Sequence, residues 1–283
     1  MSASTKTPDV RSVFILSVSS DIGEQLALDY LRRGDRVTGT HRGPLPTSLH
    51  GHPKFTSLSC DIAAADASAR IASGLGAQPE PWDIFISCVG QLSPVGNFFD
   101  CDCEAWLEAV SINSMLQLKA LHAAHPFRRV GHPCHVVFFA GGGTNNPFRA
   151  YSAYCVGKVA LIKMCELLDD ENPDLNVFIV GTGWVRTKIH AQTLDAGDRA
   201  GINYTKTKSF IDREEVGTRH EDIAAMIRWG VAQGREVAGG RNFSVVHDAW
   251  REDGTRLAES LRADAGKFKL RRHGNDSHQP NLR

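Results

Sequence analysis

The feature that most constrains the fold of this chain is a regular alternation of short apolar runs with segments of helical periodicity. An apolar run at residues 12–16 is followed by a helical pattern at 22–33 and a second apolar run at 36–40. The alternation continues and predicts further strands at 55–60, 83–89, 134–140, 176–181 and 241–246, with helices at 64–73, 104–124, 151–168 and 221–231. Strands joined through helices run parallel, because a long crossover returns the chain to the same end of the sheet. The sequence therefore predicts an α/β fold, a doubly wound parallel sheet of about seven strands with helices on both faces.

The pattern occupies one continuous stretch, so we predict a single domain at residues 11–250. A flexible N-terminus is expected at 1–10, and a polar tail at 251–283 is expected to form a short helix and then a solvated end. The 32 basic and 32 acidic residues leave no net charge, which removes the electrostatic case for a nucleic-acid or anionic-membrane partner. The apolar runs are also far shorter than the ~20 residues that cross a bilayer.

The seven cysteines are an odd number and are scattered along the chain, so no disulfide framework is indicated. This usage is typical of a reducing compartment, and we predict a cytoplasmic protein. Cys101 and Cys103 stand two residues apart, but no second pair of ligands follows at a spacing typical of a metal site. We therefore expect no bound metal.

In a Rossmann-like doubly wound sheet, ligands bind beyond the carboxyl ends of the strands. The turn after the first strand leads directly into a helix, and the free N–H groups at such a helix start can bind a pyrophosphate. The candidate pyrophosphate-binding residues of this turn are Ser17, Ser19, Ser20, Asp21, Ile22 and Gly23. An ordinary turn between a strand and a helix is the alternative.

The ends of the next three strands supply candidates for the adenosine half of a dinucleotide. Arg42 follows the second strand, and no carboxylate stands beside it to bind a ribose 2′-hydroxyl. A guanidinium can pair with a 2′-phosphate, so NADP is favoured, while NAD remains possible. Asp61 and Ile62 follow the third strand, where Asp61 can accept a hydrogen bond from the adenine amino group. Gly90 follows the fourth strand and lets a cofactor approach the backbone.

The most specific catalytic pattern is the pair Tyr154 and Lys158 on the helix after the fifth strand. Residues four apart lie on one face of a helix. A tyrosine with its ordinary pKa of ~10 is a poor acid at neutral pH, and a nearby ammonium favours the phenolate and lowers that pKa. We therefore predict that Tyr154 exchanges a proton with a carbonyl oxygen that receives a hydride.

In this order and spacing, the motifs at residues 13–246 resemble the short-chain dehydrogenase/reductase family. The resemblance implies that Asn113, on the helix before the fifth strand, holds a water of a proton relay. It also implies that Tyr154, Lys158, Gly183, Val185 and Thr187 bind the cofactor, with Lys158 on the nicotinamide ribose and Thr187 on the nicotinamide amide. A homodimer or homotetramer is implied as well, with the long helices beginning near residues 104 and 151 at the interface.

Three positions depart from the family pattern. Ser17 and Asp21 replace glycines of the first turn, where a serine in a left-handed conformation costs ~1 kcal/mol. We expect Asp21 to cap the following helix. Gly141 stands where the family has its catalytic serine, and loss of such a donor typically costs ~2.7–4 kcal/mol of transition-state stabilisation. Three remedies are open: Thr144 or the neighbouring Asn145, backbone N–H groups of the glycine run, or a hydroxyl of the substrate.

The resemblance implies an NADP(H)-dependent oxidoreductase that transfers a hydride between nicotinamide and a carbonyl or secondary alcohol. The segment 188–217 is expected to cover the substrate, and its many polar side chains favour a small polar, sugar-like substrate. These side chains are those of His190, Gln192, Thr193, Asn203, Tyr204 and Lys206. Two alternatives remain: a non-catalytic dinucleotide sensor or scaffold with a degraded site, and an epimerase or dehydratase that leaves the cofactor unchanged overall.

Overall fold

The computed structural model describes residues 10–215 and 217–272, and within these ranges seven strands form one parallel sheet. The spatial order is β3-β2-β1-β4-β5-β6-β7, so the order reverses between β1 and β4. The strands are β1 (Ser12–Leu16), β2 (Arg36–His41), β3 (Phe55–Ser59), β4 (Ile84–Ser87), β5 (Cys134–Ala140), β6 (Leu175–Gly181) and β7 (Asn242–Ser244). Every pair of neighbouring strands is parallel. The predicted doubly wound α/β fold is confirmed.

Helices cover both faces of the sheet. They are α1 (Asp21–Arg32), α2 (Ala67–Gly76), α3 (Cys103–Asn113), α4 (Met115–Ala124), α5 (Ser152–Glu171), α6 (His190–Ala196), α7 (Ile202–Asp212), α8 (His220–Gln233), α9 (Arg235–Ala238) and α10 (Gly254–Ala263). None of the helices in the described ranges has both the length and the apolar character that crossing a membrane requires.

The strands are apolar along their whole length because alternate side chains enter two separate cores. In β5, Val137 and Phe139 pack into the core that α1, α8 and α10 cover. Val136 and Phe138 of the same strand pack into the core that α2, α4 and α5 cover. A strand buried on both faces therefore appears as a continuous apolar run, which is the pattern that the sequence shows.

The predicted helix at 104–124 is wrong as a single element, because the chain breaks at Ser114. Ser114 has φ −145° and ψ −78°, outside the helical region, and its hydroxyl donates to the carbonyl of Val110 at 2.6 Å. This local hydrogen bond competes with the helical backbone pattern. As a result α3 ends at Asn113, whose side chain is fully buried.

Of the predicted tail at 251–283 the structure describes 251–272, and the short helix expected there is confirmed as α10. The solvated end is wrong for the described part, because Ala258 and Leu261 of α10 are core residues and Phe268 and Leu270 pack against the cores. The predicted flexible N-terminus falls, apart from Val10, outside the described residues.

Arg241 fixes α10 and the segment after it: the guanidinium is buried and donates to the carbonyls of Leu261, Asp264 and Lys267 at 2.6–3.1 Å. It also donates to two carbonyls of α9.

Replacing Arg241 with methionine is expected to lower the free energy of unfolding by about 3 kcal/mol, because five carbonyl groups lose a charged donor within or near the core. Urea denaturation followed by circular dichroism measures the change. Arg256→Met is the matched control, because the Arg256 side chain is 84% exposed, and its stability should stay within about 0.5 kcal/mol of the wild type. Equal stability of the two variants would contradict the anchoring role.

Candidate active site

A crevice of about 1400 Å³ opens at the carboxyl ends of the strands. This is where a parallel sheet with a reversal in strand order binds ligands. The predicted site residues that line it are Ser17, Ser19, Ser20, Asp21, Ile22, Arg42, Asp61, Ile62, Gly90, Thr144, Tyr154, Lys158, Gly183, Val185 and Thr187. Gly23 and Asn113 lie behind the crevice wall. Among the described residues, no group of three or more His, Cys, Asp or Glu side chains is placed to hold a metal ion.

The turn between β1 and α1 is held by hydrogen bonds of its own serines. Ser17 has φ +66°, the left-handed conformation expected for it, and its N–H donates to the Thr40 hydroxyl at 2.9 Å. The Ser20 hydroxyl donates to the Ser17 carbonyl and accepts from the Gly23 N–H, so Ser20 caps the helix. The expectation that Asp21 would be the cap is therefore wrong. Gly23 must be glycine, because a Cβ there would lie 2.2 Å from the Ser17 carbonyl oxygen.

The adenosine side of the crevice carries the candidates at the ends of β2, β3 and β4. Arg42 is exposed and makes no ion pair with any residue in the described ranges. One carboxylate oxygen of Asp61 accepts the N–H of Ala63, and its second oxygen remains available to a ligand. The backbone at Gly90 is open, since its nearest neighbour is a methyl carbon of Ile189 3.8 Å from an added Cβ. These groups fit the adenosine half of a dinucleotide.

Tyr154 and Lys158 lie one turn apart on α5, and both face the crevice. The Lys158 ammonium is 5.7 Å from the centre of the Tyr154 ring and donates to the carbonyl of Val89 at 3.1 Å. Lys158 is only 2% exposed, and burial lowers its pKa to about 8. Burial raises the pKa of the Tyr154 phenol above its ordinary value. Lys158 was expected to lower the pKa of this phenol; in the protein alone the pKa is instead raised, mainly by burial and further by the neighbouring Cys155.

The glycine run after β5 explains why no serine stands at position 141. A Cβ on Gly141 would lie 2.1 Å from the Tyr154 hydroxyl oxygen, so the phenol fills the space that a serine side chain would need. Gly142 gives the same room to the ring of Phe148, and Gly143 to the Cys155 sulfur. The three glycines therefore form a bare backbone surface on which neighbouring side chains pack.

Thr144 does not take the place of the missing serine in this arrangement. Its hydroxyl donates to the Gly141 carbonyl at 3.3 Å and so is turned toward its own loop. The Tyr154 hydroxyl has no hydrogen-bond partner among the described residues, and neither have the N–H groups of Gly142 and Gly143. The backbone N–H groups of Gly142 and Gly143 are thus free donors at the crevice, and the Asn145 side chain also lines it without a hydrogen-bond partner among the described residues.

Asn113 uses its amide on the protein itself. Its oxygen accepts the Gln91 N–H at 3.0 Å, and its nitrogen donates to the carbonyls of Gln91 and Ala109. This pairing fixes the loop after β4, next to Gly90. The predicted role of Asn113 in holding a relay water stays a prediction, and the contacts assign it a positioning role.

The polar side chains of 188–217 are also largely engaged within the protein. The Gln192 oxygen accepts the N–H groups of Leu92 and Ser93, both at 2.9 Å, and the Thr193 hydroxyl pairs with that of Tyr151 at 2.7 Å. His190 pairs with the carbonyl of Val185, and Asn203 donates to that of Arg149; Tyr204 and Lys206 do not line the crevice. Several of the side chains on which a sugar-like substrate was predicted are thus engaged within the protein, and the substrate class stays a prediction.

Sequence reasoning missed the apolar wall beside Tyr154 and the contact of Asp21 with Lys188. Phe148 stacks on Tyr151 with ring centres 4.5 Å apart, and both belong to one apolar cluster with Leu92, Ile189 and Tyr154. Trp184 stacks on His190 at the same end of the crevice. The Asp21 carboxylate accepts the backbone N–H of Lys188 at 2.8 Å. The only signal in the sequence was the density of aromatic residues at 148–154, which gives no information on what they face.

Comparison with known proteins gives results in agreement with this geometry. A sequence profile described as short chain dehydrogenase matches residues 11–197. The short chain dehydrogenase andC of Emericella variicolor is 26% identical over 118 residues, which cover 41% of this chain; the match spans about half of that relative, 47% of its length.

Solved structures share the fold at lower identity. A short chain dehydrogenase/reductase from Saccharomyces cerevisiae superposes with a TM-score of 0.72 at 19% identity, over 86% of this chain and 98% of that one. A short chain dehydrogenase of Shigella flexneri complexed with NADP superposes with a TM-score of 0.67 at 20% identity, over 83% and 96% of the two chains. Because the family profile matches more than half of its length, this chain belongs to the short chain dehydrogenase family.

Proposed function

We propose that this chain is an NADP(H)-dependent oxidoreductase that transfers a hydride between nicotinamide and a carbonyl or secondary alcohol. The observation that carries the proposal is the pair Tyr154 and Lys158 on one face of α5, with the phenol at the crevice and free of any partner in the described ranges. Phenol and ammonium are acid–base groups that need no metal. Family membership supports the same reaction class.

The two side chains divide the proton chemistry between them. When bound, the nicotinamide supplies the hydride. Burial keeps Tyr154 protonated at neutral pH, so the phenol can donate its proton to the substrate oxygen as negative charge develops there. The Lys158 ammonium, held in place by the Val89 carbonyl, then lies close enough to stabilise the phenolate that remains.

NADP is the cofactor that the adenosine side favours. Arg42 is exposed at the end of β2, and the backbone that follows it presents no carboxylate that would repel a 2′-phosphate. The relative from Shigella flexneri is a complex with NADP. Asp61 would accept a hydrogen bond from the adenine amino group, and Gly90 would let the cofactor approach the backbone closely. Thr187 would bind the nicotinamide amide.

The wall beside Tyr154 favours an apolar substrate over a sugar. Leu92, Phe148, Tyr151 and Ile189 line this part of the crevice, and the side-chain oxygens of Gln192 and Thr193 are engaged within the protein. A polyhydroxylated ligand would lose hydration against these apolar side chains, and the free donors of Tyr154 and the glycine run would offset only part of that loss. We therefore propose a ketone or secondary alcohol that carries apolar, preferably ring-containing, groups.

The alternative of a non-catalytic dinucleotide sensor is favoured by two observations, the carboxylate of Asp21 in the cofactor turn and the absence of a side chain at Gly141. A sensor would bind NADPH and consume none of it. An epimerase or dehydratase would form product without a net change in NADPH. One assay that follows both NADPH absorbance and product therefore separates the three activities.

Tyr154→Phe is expected to lower kcat on apolar ketones by about 10²–10⁴, because it removes the proton donor and little else. The dissociation constant of NADPH should stay within about twofold, since the phenol hydroxyl packs on Gly141 and contacts no other group at the crevice. Stopped-flow absorbance and NADPH fluorescence measure the two quantities, on a panel of cyclic ketones and aldoses. Unchanged turnover in the variant would refute the proposal, and faster turnover of aldoses would refute the apolar substrate.

The pKa of Lys158, lowered by burial to about 8, sets the expected pH dependence. Below that pH the side chain is an ammonium and stabilises the phenolate. As pH rises through about 8 the ammonium loses its proton, so kcat/KM for ketone reduction should decline with a slope approaching tenfold per pH unit. Lys158→Arg keeps its charge and should move this decline to higher pH. A decline near pH 8 that persists in the arginine variant would assign it to another group.

We also propose that two copies of this chain associate through α3, α4 and α5 in a reducing compartment such as the cytoplasm. Leu107, Met115 and Val156 on these helices are each about half exposed, at 51%, 50% and 47%. Apolar side chains concentrated on one set of helices are typical of a covered interface. All seven cysteines are free thiols, which fits the compartment.

The double variant Leu107→Glu, Val156→Glu is expected to be monomeric, because two buried carboxylates at the centre of an apolar interface oppose association. Light scattering after size-exclusion chromatography measures the mass. Val130→Glu is the control, since Val130 is 77% exposed on the loop before β5 and belongs to none of these three helices. The same mass for all three proteins would contradict this interface.

A further inference from the structure

Asp21 carries a carboxylate at the start of α1, inside the crevice. Its oxygen accepts the backbone N–H of Lys188 at 2.8 Å, and the Lys188 ammonium donates to the carbonyl of Ser19 at 2.5 Å. The two residues are 167 positions apart in the chain. This pair of contacts, here called the Asp21–Lys188 clasp, joins the loop after β1 to the loop after β6 across the crevice.

The clasp lies where the middle of a dinucleotide must pass. Arg42 and Asp61, the adenosine candidates, follow β2 and β3 on one side of β1 in the sheet, whereas Thr187, next to Lys188, follows β6 on the other side. The sheet order reverses between β1 and β4, directly behind this point. A diphosphate that links the two halves therefore comes to the start of α1, where a helix N-terminus favours negative charge.

One donor at this point already faces an anion of the protein, because the Lys188 N–H donates to the Asp21 carboxylate. The N–H groups of Asp21 and Ile22, at the helix start, have no partner in the described ranges. Ser20, which precedes Asp21, has its hydroxyl engaged in capping the helix. The Asp21 carboxylate thus occupies one donor as a phosphate oxygen would, and its charge lies beside the free N–H groups that a diphosphate would use.

We propose that the Asp21 carboxylate is a built-in competitor of the cofactor diphosphate, so that cofactor binding requires the Asp21–Lys188 clasp to open. This inference rests on the proposed function, because it takes the crevice to be the NADP(H) site. Opening releases the Lys188 N–H and places its ammonium, on a flexible side chain, within reach of the diphosphate. Asp21 lowers the affinity for the cofactor, and Lys188 partly compensates.

The size of the expected change in cofactor affinity follows from the repulsion between the Asp21 carboxylate and the diphosphate. A carboxylate and a diphosphate a few ångströms apart at a solvent-accessible protein site repel each other strongly enough to change a dissociation constant by about tenfold or more. Asparagine has the shape of aspartate and keeps an oxygen that can accept the Lys188 N–H, but it carries no charge. Asp21→Asn therefore removes the repulsion and retains the local structure, whereas Asp21→Gly removes the clasp as well.

The experiment measures NADPH binding to the full-length protein by the fluorescence of the reduced nicotinamide, without turnover. Asp21→Asn is expected to lower the dissociation constant by about tenfold relative to the wild type, and Asp21→Gly, which also removes the clasp, by more. Adenosine 2′-monophosphate, which reaches Arg42 but has no diphosphate, should bind all three proteins equally in calorimetric titrations. Lys188→Met in the Asp21→Asn background should weaken NADPH binding again.

Glu24→Gln is the matched control. It removes one negative charge from the same helix turn, but the Glu24 carboxylate bonds Ser48 and does not line the crevice. NADPH affinity that is equal in the wild type and Asp21→Asn would overturn the inference while leaving the proposed function intact. An equal gain in Glu24→Gln would replace the clasp with a general charge effect. Failure of every variant to bind NADPH would overturn the proposed function and the inference with it.

Discussion

The close packing of the Tyr154 phenol on the bare backbone of Gly141 is the contact on which the candidate site depends. The phenol oxygen occupies the volume that any side chain at 141 would enter. This packing buries the ring, and burial in turn raises the pKa of the phenol and keeps it protonated. The same principle continues along the glycine run, where Phe148 rests on Gly142. The glycine run is thus a backbone surface against which the rings of Tyr154 and Phe148 pack.

The architecture was accessible from the sequence because it depends on periodicity alone. Strands buried on both faces give continuous apolar runs, and each run here is followed by a helical pattern long enough for a parallel crossover. The break at Ser114 was not accessible, since apolar periodicity continues across it and the deciding hydrogen bond to Val110 is local. The burial of the tail was not predicted for a related reason. Its polar composition gave no indication that Leu261 is a core residue, and the contact of the buried Arg241 with the Leu261 carbonyl follows only from the three-dimensional structure.

The candidate site was predicted by residue type more successfully than by role. Residues at the ends of strands do line the crevice, because parallel strands bring their carboxyl ends to one edge. The role of each side chain depends on its hydrogen-bond partners, and these are often far away in the sequence. The amide oxygen of Gln192 accepts from the backbone of Leu92, 100 residues earlier, and both amide atoms of Asn113 pair with the backbone of Gln91. Both amide oxygens are therefore already engaged within the protein. The sign of the Tyr154 pKa shift likewise depends on solvation, which spacing from Lys158 does not reveal.

The choice of Ser20 over Asp21 as the helix cap connects the two departures in the cofactor turn. Both residue types cap helices well, so propensity does not decide between them. The left-handed Ser17 turns its carbonyl toward the Ser20 hydroxyl, and this contact fixes Ser20 as the cap. Asp21 is then left on the first turn of α1 with its carboxylate directed into the crevice, where Lys188 meets it. A glycine at 17 would adopt the same backbone without the strain, and the hydrogen bonds of this turn would still place position 21 at the crevice. Under the proposed competition between Asp21 and a cofactor diphosphate, the charge at position 21, rather than the strain at Ser17, is what limits cofactor affinity, as expected where local rules are broken at a functional site.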